Sequence, residues 1–167
     1  MAAQTGPTEE NNANAARLVL LGLAAGENPD SITERLAEFQ SRDNSFPAEV
    51  LLELAAEAIS ESGATKGEPI EYEGIRERYL PEYEFRGKSQ QHKSHYALTA
   101  AAMIRAGIYP DLLDEGYWWG IEDMWRYAFY ALLAYARAAA DRTGRSLEEV
   151  ATALSEHRGL KPAPKAT

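Results

Sequence analysis

The chain contains no cysteine. Disulfides, iron–sulfur clusters, thiolate zinc sites and cysteine nucleophiles are therefore excluded. Long apolar runs are also missing. The longest, Leu18 to Ala25, is far short of the ~20 residues a bilayer requires. The segment before it carries Glu9 and Glu10 and no basic cluster, so a signal peptide is not expected. These absences lead us to expect a cytoplasmic protein without a membrane partner. With 167 residues, the chain is long enough to build a core without metal or disulfide staples. One helical domain is expected over 8–159, with flexible ends at 1–7 and 160–167.

Charge is present but uneven. The formal net charge is −9; residues 1–73 hold 14 acids and 4 bases (−10), and residues 74–167 hold 12 acids and 13 bases (+1). The N-terminal half would repel phosphate, so nucleic acid is an unfavoured partner.

Helix punctuation is frequent. Thr8 is read as the cap of a first helix ending at Gly26. Ser31 and Glu34 have capping-box spacing, followed by Ile32, Leu36 and Phe39 on one face. Ser45 and Pro47 open a third helix, with Leu51, Leu54, Ala55, Ala58 and Ile59 pointing inward. Glycines and prolines interrupt 63–88, where a short helix over 74–80 and a short strand near 70–72 are the candidate elements. Ser89 is read as the cap of a long helix to Ala106, stopped by Gly107. A turn of helix is expected over Pro110 to Glu115. The longest helix runs from Ile121 to Arg142 and ends at Gly144. Ser146 and Glu149 form a second capping box, for a last helix to His157. The expected fold is all-α: a bundle of six or seven helices around the 121–142 helix. Its alanines, with Ala97, Ala100, Ala101 and Ala102, predict close packing against the 89–106 helix.

Five features could carry function. Arg86, Lys88, His92, Lys93 and His95 fall in a stretch without acids at an expected helix start, which either attracts anions or, the simpler expectation, is solvated and pairs with the acidic N-terminal half. Gly87-Lys88-Ser89 matches the end of a phosphate loop, but that pattern needs glycine at the position of Glu82 and is excluded. His92 and His95 share a helix face, yet no E-x-x-H or H-E-x-x-H accompanies them. No metal or other cofactor is expected. Glu49, Glu53, Glu57 and Glu61 form a ridge whose i,i+4 repulsions a cation in the chain or on a partner would offset, although a solvated helix face that tolerates the cost is the simpler expectation. Tyr117, Trp118, Trp119, Trp125, Tyr127, Phe129 and Tyr130 are core, pocket wall or interface; adjacent Trp118 and Trp119 cannot easily both point inward. Finally, Ala140, Gly144, Val150 and Leu154 resemble helix-turn-helix spacing over 138–154, but Glu148 and Glu149 would face phosphates.

A polar line, Asp123, Arg126, Tyr130 and Arg137 with Asp141, runs along the otherwise apolar central helix. Its spacing suits Glu122–Arg126 and Arg137–Asp141 ion pairs. No nucleophile elbow is present, and the sequence leaves open whether the chain is an enzyme. The glutamate ridge, the tryptophan pair and the charge asymmetry favour a protein-interaction module. Its simplest form is a homodimer, with Glu49, Glu53, Glu57, Trp118 and Trp119 at the interface. The alternative is a binding protein or enzyme for an anionic, phosphorylated small molecule at 86–95. A second alternative is a nucleic-acid-binding protein using 138–154.

Overall fold

A computed structural model describes residues 6–43, 48–64, 69–108 and 124–160. Seven helices run through them: α1 (Gly6–Ala24), α2 (Pro29–Asp43), α3 (Ala48–Glu61), α4 (Tyr72–Tyr79), α5 (Gly87–Arg105), α6 (Met124–Thr143) and α7 (Leu147–His157). The described residues contain no strand, and the fold is an all-α bundle. No helix among them is long and apolar enough to cross a membrane.

Several helix ends follow directly from local chemistry. Gly26 and Gly144 take φ of +77° and +72°, a left-handed geometry that glycine adopts without a Cβ clash. The chain then closes back: the Glu27 amide donates to Gly22 O (2.9 Å) and the Arg145 amide to Ala140 O (3.1 Å). The Ser146–Glu149 box is complete, with both reciprocal bonds made, at 3.1 and 3.0 Å. These bonds to Ser146 hold the Glu149 carboxyl below its ordinary range.

Other ends differ from the expectation. Thr8 lies inside α1, which already begins at Gly6. Asn28, not Ser31, starts α2: its side chain accepts from the Asp30 amide at 2.8 Å. Ser31 instead donates to Glu27. Helix α5 starts two residues before Ser89, because the Arg86 amide donates to the Gln90 side chain at 2.7 Å. Segment 70–72 leads into α4 rather than forming a strand. Ser45, Pro47, the 110–115 turn and the 161–167 tail lie outside the described residues.

The core also corrects one expectation. Helix α6 is central, with Trp125, Ala128, Phe129, Leu132, Tyr135, Ala136 and Ala139 buried. Its principal partner is α3, however, with α5 second. Helix α3 buries nine of its 14 residues, whereas the first seven of α5, Gly87 to Lys93, bury none. That first third of α5 is too polar to dehydrate, so the wider apolar surface of α3 takes the contact with α6. Helix α7 lies mainly on α1, burying Val150, Ala151 and Leu154.

Candidate functional site

Helix α4 is the least embedded element. None of its eight residues is fully buried, although Ile75 and Tyr79, four apart, rest on the core. Polar ties hold it. Arg137 on α6 donates to Tyr79 O (2.7 Å) and grips both oxygens of Glu82, each at 2.8 Å. Those bonds are the main reason the Glu82 carboxyl titrates below its ordinary value. Asp141 Oδ2 accepts from the Tyr79 hydroxyl (2.7 Å) and from Arg78 (2.8 Å). Burial and this bond to Asp141 raise the Tyr79 pKa.

Between α4, the end of α3 and the C-terminal half of α6 lies a cleft of about 630 Å³. Its apolar lining includes Ile59, Ile70, Ile75 and Ala138, and Tyr135 joins them. The Tyr135 hydroxyl donates to Leu98 O at 2.7 Å, and burial raises its pKa. Among the described residues, the charged groups at the wall are Glu71, Arg78, Asp141 and Arg142. The polar line along α6 is therefore partly cleft wall and partly tie. Its expected Arg137–Asp141 pair is replaced by tertiary partners, because residues 78–82 bring Arg78 and Glu82 within reach.

Farther along α6, Tyr130 enters an aromatic cluster. Its ring centroid lies 4.4 Å from Tyr83, 6.0 Å from Phe85 and 6.1 Å from Tyr127. Cations border the cluster: Arg76 over Phe85, Lys93 over Tyr127 and Arg126 over Trp125, each 5.1–5.7 Å from the ring centroid. Desolvation raises the pKa of Tyr83 and of Tyr130.

The basic segment faces several neighbours rather than one. Arg86 pairs with Glu84, Lys88 and His92 are exposed, Lys93 turns to Tyr127 and His95 meets the edge of Tyr72. The glutamate ridge finds cations within the chain. Arg158 pairs with Glu53 and Glu57, Arg145 pairs with Glu61, and a ring nitrogen of His157 lies 2.8 Å from Glu61. Glu49 stands half-buried at the start of the ridge. Asp123, Trp118 and Trp119 lie outside the described residues. The helix-turn-helix stretch forms α6, a turn and α7, with Glu148, Glu149 and Glu156 exposed. Among the described residues no three His, Asp or Glu side chains converge as metal ligands would.

Glu71, Ile75 and Tyr79 escaped the sequence reading. The four-residue spacing of Ile75 and Tyr79 was the available signal, but it could not reveal a space beneath them. Compared with family models, with curated proteins and with solved structures, the chain matches none of them.

Proposed function

We propose that the protein binds a small molecule in the cleft beneath α4. The observation that carries this reading is an amphipathic helix with no fully buried residue above a space of about 630 Å³. Ligand sites run to roughly 300–1,000 Å³ and combine apolar walls with placed polar groups, and this cleft sets Ile59, Ile70, Ile75 and Ala138 beside Glu71, Arg78, Asp141 and Arg142. Polar ties to Asp141 and Arg137 hold α4 over this space without filling it. Nile red, an uncharged dye that brightens in apolar surroundings, tests the proposal. Its emission should rise to saturation with one dye per chain, and Ala138→Trp, which fills the cleft, should abolish the rise. No saturable rise, or an equal rise in the variant, overturns the reading.

The aromatic cluster supports a second reading, a protein-interaction module whose simplest form is a homodimer. Tyr83, Phe85 and Tyr130 are half-buried, and Arg76, Lys93 and Arg126 surround them. Tyrosine and arginine are typical of interface hot spots. The net −10 over residues 1–73 makes a second copy an electrostatically suitable partner. The glutamate ridge no longer needs an external cation under this reading, since α7 and its flanks supply them. Sedimentation velocity should show dimers that dissociate on dilution and are weakened by Arg126→Glu. A monomer at every concentration up to high micromolar sinks it. Duplex DNA is not the expected partner, because exposed Glu148, Glu149 and Glu156 would oppose phosphate.

A further inference from the structure

We propose that Arg78 and Asp141, side by side on the cleft wall, select a ligand with an apolar body and an uncharged head that both donates and accepts hydrogen bonds, the carboxamide type. This rests on the cleft being the binding site.

The apolar body follows from the lining. Ile59, Ile75 and Ala138 offer no hydrogen bonds. Tyr135 commits its hydroxyl to Leu98 O and leaves its ring as its contribution to the wall. A flat, compact hydrocarbon or aromatic body suits such walls.

The head follows from the charges. Glu71 and Asp141 carry two negative charges at the cleft, and Arg78 and Arg142 two positive ones. Both signs are thus present among the described lining residues, so a charged head of either sign meets one of its own. A phosphate or carboxylate head reaching Arg78 also meets Asp141, 2.8 Å from that guanidinium. An ammonium head reaching Asp141 meets Arg78. An uncharged head carries neither penalty.

The same pair offers complementary hydrogen-bonding groups. Tyr79 and Arg78 both bind Asp141 through Oδ2, so among the described residues Oδ1 is left to accept. A guanidinium has five N–H donors, and Arg78 spends only Nη2 on Asp141. The side chains are 69% and 50% exposed, which keeps these groups within reach of a ligand. A primary amide matches them, its carbonyl accepting from Arg78 and its N–H donating to Asp141 Oδ1. Tyr79 donates to the same Oδ2 as Arg78, so the carboxylate is held by two bonds before the ligand arrives.

Three probes with one indole body test this: indole-3-acetamide, indole-3-acetate and tryptamine, titrated calorimetrically into the full chain. The amide should bind about tenfold more tightly than either charged analogue, a difference of ~1.4 kcal/mol. Arg78→Gln leaves Asp141 without its cation and should move the preference to tryptamine. Asp141→Asn leaves Arg78 without its anion and should move it to indole-3-acetate. Both positions are exposed, and circular dichroism verifies that each variant is folded. A charged probe binding the unaltered protein more tightly than the amide overturns the proposal, as does a ranking that both variants leave unchanged. Saturable Nile red binding without measurable binding of any indole probe also overturns it, while the cleft itself stands. Absence of both overturns the site and its selectivity together.

Discussion

Phe129→Ala is expected to lower the unfolding free energy by about 3–5 kcal/mol. Phe129 is fully buried and stands among the largest such side chains in the protein. It lies on α6, the helix that packs on both α3 and α5, so its neighbours are held from two sides and cannot readily collapse into the space left behind. The loss combines transfer of the ring with the residual cavity. Domains of this kind are stable by only about 5–15 kcal/mol, so the variant should unfold at a much lower urea concentration with a similar slope. Tyr130, next in sequence, is only half-buried, and Tyr130→Ala should cost clearly less. Equal losses at the two positions would mean that the inward face of α6 is wrongly assigned.

Arg137→Met should cost about 1.5–3 kcal/mol at neutral pH, the range for hydrogen bonds involving charged groups. The methionine retains much of the apolar stem but none of the three bonds to Tyr79 O and Glu82. The pair also has a pH signature. The Glu82 carboxyl is held below its ordinary value of 4.5, chiefly by hydrogen bonds from Arg137. Its contribution is therefore complete above that ordinary value and is lost as pH falls through the lower, folded value. Urea unfolding from about pH 6 down to about pH 3 should show wild type losing stability more steeply than the variant, with the gap between them narrowing. Glu82 is 44% exposed, so solvent screening keeps this pH-linked part small. A gap that stays constant with pH would show that Arg137 acts through its stem and its bond to Tyr79 O rather than through Glu82. Because Arg137 also ties down α4, the variant should bind Nile red more weakly.

The helices and several of their ends were legible in the sequence because they depend on groups a few residues apart. Ser146 and Glu149 need only each other to start α7, and Gly144 stops α6 through its own backbone freedom. Where two local solutions compete, sequence spacing was insufficient. Asn28 and Ser31 both suit a helix start, and the choice fell to Asn28 while Ser31 turned to Glu27. Alanine spacing likewise suggested that α5 and α6 approach closely. It could not rank α5 against α3, since the ranking depends on how much surface each helix can dehydrate once all the others are in place.

The apolar faces and the uneven charge were likewise determined by the sequence alone, being properties of residue order and helical period. Partner choice across the bundle was not. Arg158 meets Glu53 and Glu57 across more than 100 positions of chain, Arg137 takes Glu82 rather than Asp141, and Asp141 takes Arg78 and Tyr79. Arg137 and Asp141 have each other four residues away, whereas Glu53 and Glu57 have only further glutamates at that spacing. Tertiary packing decided among them by bringing distant groups within 3 Å or so, where charge-assisted hydrogen bonds are strong. The cleft belongs to that second kind of outcome. It is a space between α3, α4 and α6, and a space arises only from where helices stop approaching one another, a distance set by side chains on all three together.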